Sequence, residues 1–322
     1  MAKKRYNASI LPKRLTLVRH GQSAGNVIED LYSKMPDNAV PLTDLGWKQA
    51  KLAGETLRES ILNYDETVHF IISPYVRTME TFHGILSAWC DPNEHPSFRH
   101  MADTEERRQA WYSHLKSCHG ITWHEDSRIR EQDFGNYQNP QIIQQCKEER
   151  DKFGLFYYRF PHGESATDVY DRVSTFLDSL WRSFDTARSQ NCILVTHGIS
   201  IRVFLARYFR YSVDQFHELV NPNNCEMFVL EHDGSGMLRP AGRYELVKKR
   251  STNSTTSDEP ILKPKFTLDD ENTPSEAPST VSEAQSTGHY EFHKELRTWP
   301  ETVMKSKRRA IRISPKSVAS DC

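Results

Sequence analysis

Two histidines in this sequence share one local pattern, an apolar segment that runs into His-Gly. His20 lies in Leu15–Asn26, LTLVRHGQSAGN, and His197 lies in LVTHG. Arg19 precedes His20, and a small polar loop with two glycines follows it. A guanidinium and the backbone N–H groups of such a loop bind phosphoryl oxygens through charge-assisted hydrogen bonds. The imidazole beside them can attack phosphorus as a nucleophile. The pattern therefore indicates phosphoryl transfer.

A sheet must bring the two histidines together, because they are far apart in the chain. Short apolar runs predict three buried strands, at Leu15–Val18, Val68–Ser73 and Cys192–Thr196. Arg77 follows the second strand closely, as the histidines follow the first and third. In parallel sheets, ligand-binding residues gather at the carboxyl ends of the strands. We therefore expect Arg77 and both histidines on one side of the sheet.

Helical periodicity separates these strands. Thr43 is a predicted N-cap for a helix that reaches about Leu62, and Ser165 or Glu164 opens a long amphipathic helix. Further helices are predicted around Met79–Leu86, from Pro140 to Lys152 and from Gly198 through Phe209, and Met227–Leu230 and Tyr244–Val247 are candidate closing strands. Strands that alternate with helices predict an α/β fold with a mostly parallel sheet.

The folded domain is predicted to span residues 12–249, with an insertion at about 90–127. The insertion is irregular and rich in His, Trp and charge, with one predicted helix from Asp103 to Leu115. Residues 250–322 are dominated by Ser, Thr, Pro and acids, which cannot bury enough apolar surface to offset their ordering entropy. They are predicted to form a disordered tail. Its basic end is either part of a solvated extension or a segment that binds an anionic protein partner or directs nuclear import.

Composition excludes several classes of protein. The formal net charge is −1, so the whole molecule carries no nucleic-acid-binding signature. No segment approaches the roughly 18 apolar residues of a membrane span, and the N-terminus has no signal-peptide core. The six cysteines are scattered without a CxxC pair, as expected for reduced thiols. These features predict a soluble cytoplasmic protein, or a nuclear one through its basic tail. The oligomeric state has no signature in the sequence.

A serine nucleophile is the first competing interpretation. Gly21–Gly25, GQSAG, matches the nucleophile elbow of α/β-hydrolases, with Ser23 as the nucleophile. The sequence contains no HGGG-type oxyanion segment to accompany it, and this chemistry leaves Arg19 and Arg77 without a role. We therefore disfavour it.

A metal site is the second competing interpretation. The potential ligands in the insertion are His114, Cys118, His119 and His124. Their spacing fits no standard zinc pattern, so they are interpreted as surface residues. No metal site and no cofactor are predicted.

Phosphoryl transfer from an ester also calls for a proton donor, because an alkoxide is a poor leaving group. Glu131 is a candidate. On residue type alone, Glu125 and Asp133 are equally good candidates.

Five motifs occur in order over about residues 12–235. They are Leu17–Asn26 with Leu42-Thr43 and Gly46, Ser73-Pro74 with Arg77-Thr78, Arg130-Glu131 with Phe134-Gly135, Pro161 with Gly163-Glu164-Ser165, and Val195–Gly198. Together they resemble the histidine phosphatase superfamily, and more closely its phosphoglycerate mutase-like branch. The stretch FGLFYYRFPHGES and the phrase NPNN near Asn221 are most similar to the phosphoglycerate mutase-like proteins of plants. The resemblance implies a three-layer sandwich, with helices on both faces of the sheet.

The resemblance also implies a role for each site residue. His20 is the nucleophile and carries a phosphohistidine, while Glu131 donates a proton to the leaving group and then activates water. Arg19, Arg77 and His197 bind the phosphoryl oxygens. The remaining members of the phosphate pocket are Gly21, Gln22, Ser23, Asn26 and Gly198.

The favoured activity is the metal-independent hydrolysis of a small phosphomonoester. Gln132-Asp133-Phe134 follows Glu131, where a mutase has a basic residue and a tyrosine to hold a second charged group. Phosphoglycerate mutase-type transfer and a non-catalytic phosphate-binding module remain the alternatives. The sequence does not identify the substrate.

Overall fold

The computed structural model describes residues 9–28, 31–63, 65–135, 140–248 and 290–293, and within these ranges the chain forms seven strands and seven α-helices. The strands are β1 (Arg14–Arg19), β2 (Val68–Ile72), β3 (Ile121–Glu125), β4 (Asn191–Thr196), β5 (Met227–His232), β6 (Leu238–Lys248) and β7 (Tyr290–His293). The helices are α1 (Asp44–Thr56), α2 (Val76–Leu86), α3 (Glu105–His119), α4 (Pro140–Phe153), α5 (Ala166–Ala187), α6 (Gly198–Phe209) and α7 (Val213–His217). None of these helices combines the length and the apolar character needed to cross a bilayer.

The central sheet has the order β3-β2-β4-β1-β5-β6, and β7 pairs with the outer edge of β6. The first four strands run parallel, and β5 and β6 close the sheet in antiparallel fashion. Residues 15–18 of β1 are fully buried, as expected for a central strand covered on both faces. The predicted mostly parallel α/β fold is confirmed.

Helices cover both faces of this sheet. One face packs against α5 and α6, through residues such as Val173 and Phe204. The other packs against α1, α2 and α3, through residues such as Phe82 and Leu115. The predicted three-layer arrangement follows from these two separate cores.

Local signals set the starts of two of these helices as predicted. The Thr43 hydroxyl accepts a hydrogen bond from the Gly46 N–H and caps α1, which continues through a π-helical turn at Leu57–Ile61. Ser165 caps α5 through a capping box with Asp168. The first cap matters for the site, because α1 packs against the loop that follows β1.

The insertion contains the predicted helix and one strand that the sequence does not predict. The helix is α3, whose C-cap Gly120 is in the left-handed conformation (φ 61°), and the strand is β3. β3 lies at the sheet edge beside β2, and only Ile121 of its five residues is buried. An edge strand buries too little apolar surface to show the pattern of a core strand, so the sequence ITWHE carries no strand signal.

Register places the two His-Gly segments side by side. Arg19 of β1 is the partner of Thr196 of β4, so His20 and His197 each follow the last residue of adjacent, level strands. Of the predicted tail, residues 250–322, only Tyr290–His293 is described, as β7, and the rest lies outside the described residues.

Candidate active site

His20 is buried at the end of β1, with 3% of its surface exposed. Its Nδ1 lies 2.7 Å from the carbonyl oxygen of Gly21. A carbonyl can only accept, so in a neutral imidazole Nδ1 carries the proton and Nε2 keeps the lone pair. Burial lowers the pKa of His20 well below its ordinary 6.5, and Arg77 and Arg19 lower it further. The geometry therefore presents a neutral imidazole with Nε2 as its free nucleophilic nitrogen.

His197 lies next to His20, with 5.3 Å between ring centroids in an edge-to-face arrangement. Its Nε2 is 2.8 Å from the hydroxyl of Ser73, which follows β2. Among the described residues its buried Nδ1 has no hydrogen-bond partner, and Glu131 Oε2 lies 3.8 Å away. Burial and Arg77 lower the pKa of His197 well below 6.5. A neutral His197 that accepts the Ser73 proton at Nε2 directs an Nδ1–H donor towards the carboxylate and the pocket.

Arg77, the second residue of α2, is 2% exposed and faces the same pocket. Its guanidinium binds Asp37, through distances of 2.9 and 3.3 Å to the two carboxylate oxygens and 2.6 Å to the backbone carbonyl. It also lies over the Tyr75 ring, 4.9 Å from the centroid. Asp37 was not singled out in the sequence, since it lies in an irregular segment without a motif.

Arg19 contributes the second guanidinium of the pocket. One terminal nitrogen donates to the Pro222 carbonyl, while the buried Nε has no hydrogen-bond partner among the described residues. Burial lowers the pKa of Arg19, and Glu131 opposes this effect. Arginine is nevertheless effectively always protonated in proteins. Arg19 and Arg77 therefore provide the positive charge around His20.

Glu131 is the carboxylate that the structure brings to the two histidines. Its side chain is 14% exposed, and burial raises its pKa above the ordinary 4.5, although Arg77 opposes this effect. The competing candidates point elsewhere: the Asp133 carboxylate accepts from the Gly135 N–H, and Glu125 is an exposed residue at the end of β3. A raised pKa favours the protonated acid, which is the form a proton donor needs.

Arg172 on α5, paired with Glu164 just before the helix, holds the backbone that carries Glu131. Arg172 donates to the carbonyls of Arg128, Arg130 and Glu131, at 2.7, 2.9 and 3.0 Å. The same guanidinium binds both carboxylate oxygens of Glu164, at 3.1 and 3.0 Å. Glu164 matched a family motif, but Arg172 was missed, because a single arginine on a polar helix face gives no signal in the sequence.

The loop after His20 is fixed mainly by its own side chains. The Ser23 hydroxyl and N–H both bond Asn26 Oδ1, and the Gln22 side-chain oxygen accepts from the Thr43 hydroxyl. The Gly21 N–H donates to the Thr81 hydroxyl at 2.9 Å, a partner the sequence did not reveal. Ser23 is fully buried and bonds Asn26 rather than a histidine, which argues against the serine-nucleophile interpretation.

Gly198, the last predicted member, is the first residue of α6. A Cβ at this position would lie 2.2 Å from Asn221 Oδ1, so the backbone here runs close to the NPNN segment. The first N–H groups of a helix have no intrahelical partners and attract anions. Asn224, in the same segment, donates its amide to the carbonyl of His20 at 3.1 Å and so ties this segment to the end of β1.

Two groups of side chains have the composition of metal sites. His20, Glu131 and His197 offer ligand atoms that lie within 4.8 Å of one another. The adjacent guanidiniums of Arg19 and Arg77 oppose a cation there, by the same electrostatic effect that lowers the histidine pKa values. The second group, Cys90, His95 and His114, lies in the insertion.

Comparisons with known proteins agree with this geometry. The chain matches the family described as "Histidine phosphatase superfamily (branch 1)" over residues 15–110 and 104–239. It is 40% identical over 241 residues to the Arabidopsis thaliana phosphoglycerate mutase-like protein AT74H, and the match covers 70% of this chain and 76% of that protein. It is 30% identical over 290 residues to the Saccharomyces cerevisiae broad-range acid phosphatase DET1, over 70% of this chain and 86% of that protein.

A solved structure shows the same fold. Bacillus stearothermophilus YhfR superposes with a TM-score of 0.50 at 20% sequence identity, covering 71% of this chain and 95% of that protein.

Proposed function

Because the chain belongs to branch 1 of the histidine phosphatase superfamily, we propose that it is a phosphomonoester hydrolase that acts through a phosphohistidine on His20. The observation that carries the proposal is the fixed tautomer of His20, whose Nδ1 bonds the Gly21 carbonyl and leaves Nε2 as the nucleophile. The substrate is a small phosphorylated molecule.

Substrate binding uses two donors without partners among the described residues, together with Arg77, which must release Asp37. A phosphoryl group presents negatively charged oxygens, which accept from Arg19 Nε, from the Nδ1–H of His197 and from the guanidinium of Arg77. The first N–H groups of α6 point the positive end of the helix dipole towards the same group. Phosphoryl transfer depends mainly on positioning and on neutralising the charge of these oxygens, and two arginines supply that charge without a metal.

The reaction takes place in two halves. In the first, His20 Nε2 forms a bond to phosphorus while the bond from phosphorus to the ester oxygen breaks, and Glu131 gives its proton to the departing alcohol. In the second, the Glu131 carboxylate takes a proton from water, the water oxygen bonds phosphorus, and the bond to Nε2 breaks. Phosphate and neutral His20 are the result, and Glu131 is protonated again. The raised pKa of Glu131 and the lowered pKa of His20 both favour the forms that start the cycle.

Hydrolysis is favoured over mutase activity by the charge around the pocket. A mutase must hold a substrate with a second anionic group, which needs further cations. Here Asp37 binds Arg77, and the loop after Glu131 continues with the exposed residues Asp133 and Phe134. Asp37 offsets the charge of Arg77, and Asp133 adds a negative charge to this loop instead of a cation. The relative from Saccharomyces cerevisiae is named a broad-range acid phosphatase, which supports hydrolysis of phosphomonoesters by this chain as well.

The test is phosphate release from a panel of small phosphomonoesters by the full chain, with a chelator present and no metal added. The expected result is release that disappears in His20→Ala and persists in His100→Ala, an exposed histidine outside the pocket. Reactions with labelled ester, quenched in alkaline detergent because phosphohistidine is acid-labile, should show label on the wild-type protein and none on His20→Ala. Turnover that survives His20→Ala would overturn the proposal.

The same experiment separates the alternatives. Label on the protein together with transfer to a second phosphoglycerate, and no free phosphate, would identify a mutase. Phosphate binding without label or turnover would identify a binding module.

A further inference from the structure

The insertion brings three metal-ligand side chains together at the end of α2 opposite to Arg77, and a fourth lies beside one of them. Cys90 follows α2, His95 lies in the next turn, and His114 and Cys118 lie one helical turn apart on α3. The potential ligand atoms of Cys90, His95 and His114 all lie within 4.8 Å of one another. His114 and Cys118 are among the potential ligands considered in the sequence and interpreted there as surface residues, whereas Cys90 and His95 are remote from them in the chain and join them only in the fold.

Cys118 supplies the fourth position. Its Sγ lies 3.5 Å from Nδ1 of His114. Ligand atoms around a tetrahedral zinc ion lie about 3.3–3.8 Å apart, given Zn–S and Zn–N bonds of about 2.3 and 2.0–2.1 Å. The separations among Cys90, His95 and His114 come close to that geometry, and the exposed Cys118 side chain must turn towards the other three to complete it. His114 and Cys118 lie four positions apart, so both project from the same face of α3.

The two imidazoles of the set also lie close to each other. The rings of His95 and His114 lie with centroids 4.8 Å apart, and a shared ion is one way to hold two imidazoles this close.

We propose that Cys90, His95, His114 and Cys118 form a structural zinc site that fastens α3 to the end of α2. Binding of one Zn²⁺ displaces the thiol protons of Cys90 and Cys118 to solvent, and the two thiolates and two neutral imidazoles complete a site without net charge. α2 rises by about 1.5 Å per residue, so its length separates this site from Arg77 by roughly 15 Å. The zinc site is therefore distinct from the catalytic pocket, and its role is to stabilise the insertion.

The test measures metal content in the full chain, purified without a polyhistidine tag from zinc-containing medium. We expect about one zinc per chain by inductively coupled plasma mass spectrometry in the wild type. We expect the same in His20→Ala, which removes a potential ligand from the catalytic pocket, and in His100→Ala, the matched control within the insertion. His114→Ala and Cys118→Ser should lose the zinc, and circular dichroism should show that both variants remain folded.

A cobalt titration of the metal-free protein tests the ligand types. The wild type should develop a thiolate-to-cobalt charge-transfer band and intense tetrahedral d–d bands, and Cys118→Ser should weaken the first. Removal of zinc should lower the melting temperature of the wild type and leave that of His114→Ala unchanged.

Two results would overturn the proposal. One is a wild-type chain that contains no zinc and takes up none when titrated with zinc chloride against a colorimetric chelator. The other is zinc that is lost from His20→Ala but retained by His114→Ala, which would place the metal in the catalytic pocket.

Discussion

The Asp37 carboxylate binds the Arg77 guanidinium inside the candidate phosphate pocket, through Oδ1 at 2.9 Å and Oδ2 at 3.3 Å. Asp37 opens a short 3-10 turn, Asp37–Ala39, in the segment between the phosphate loop and α1. A carboxylate and a phosphoryl group use the same two-pronged geometry on arginine. Asp37 therefore competes with substrate for Arg77, and the ion pair must open or rearrange when a phosphoryl group binds.

The first prediction is that Asp37→Asn binds orthophosphate and vanadate more tightly than the wild type does. A hydrogen bond to a charged group contributes about 1.5–3 kcal/mol, so loss of the competing charge should tighten binding by about tenfold or more. The Asp37 backbone carbonyl, 2.6 Å from Arg77, remains to hold the loop in place. Inhibition constants measured by competition with an aryl phosphate give the comparison.

Asp133→Asn is the matched control for that variant, since it removes an exposed acid from another loop at the pocket without touching Arg77. A similar gain in both variants would mean that net charge, and not the ion pair, governs binding. Weaker binding in Asp37→Asn would mean that Asp37 orients Arg77 for the substrate.

The second prediction concerns the pH dependence of kcat/KM. Catalysis needs neutral His20, whose pKa is lowered well below 6.5, and protonated Glu131, whose pKa is raised above 4.5. Activity should therefore persist on the acid side until His20 protonates, and fall on the alkaline side as Glu131 loses its proton. We expect an optimum on the acid side of neutrality for alkyl phosphates.

Glu131→Gln tests the assignment of the alkaline limb. It should flatten that limb and lower kcat/KM for alkyl phosphates by about 10²–10⁴-fold. The loss should be much smaller for nitrophenyl phosphate, because nitrophenolate leaves without a proton. Equal losses on both substrates would exclude Glu131 as the proton donor.

The third prediction assigns Arg172 a positioning role. Arg172→Lys keeps the charge but cannot reach three carbonyls and Glu164 at once, so the segment that carries Glu131 should shift. We expect kcat/KM for alkyl phosphates to fall by about 10- to 100-fold, with a smaller loss for nitrophenyl phosphate. Arg182→Lys, exposed on the same helix, is the control. A uniform loss on both substrates would indicate general destabilisation.

The fourth prediction concerns stability in acid. Burial lowers the pKa of His83 to about 4, with Arg108 as a further cause, and its Nε2 bonds the Tyr112 hydroxyl at 2.5 Å. The unfolded chain takes up this proton below about pH 6.5, whereas the folded chain does so only near pH 4. The free energy of unfolding should therefore decrease as the pH falls from 6.5 to 4, by up to about 1.4 kcal/mol per pH unit from this group.

Urea unfolding at several pH values measures this slope. His83→Gln keeps a neutral hydrogen-bonding side chain and removes the titrating group, so its slope between pH 6.5 and 4 should be shallower. An unchanged slope would show that His83 does not titrate differently in the two states.

Several features of the fold and the site could be predicted because their signals are local. The apolar run before His20, the repeated His-Gly and the caps at Thr43 and Ser165 each depend on a few neighbouring residues. Once β1 and β4 are neighbours in the sheet, the pairing of Arg19 with Thr196 places the two histidines side by side. Glu131 could be selected only through the family resemblance, because an exposed glutamate and a buried proton donor look alike in one sequence.

The remaining features depend on contacts between distant residues, which propensity and periodicity do not encode. Asp37 meets Arg77 across 40 positions, and Arg172 reaches the Glu131 backbone across 41. The edge strand β3 and the Cys90–Cys118 ligand set became visible only once α3 had packed beside α2. Local patterns record which residues become buried, whereas ion pairs, pKa shifts and ligand sets arise from the three-dimensional packing that burial produces.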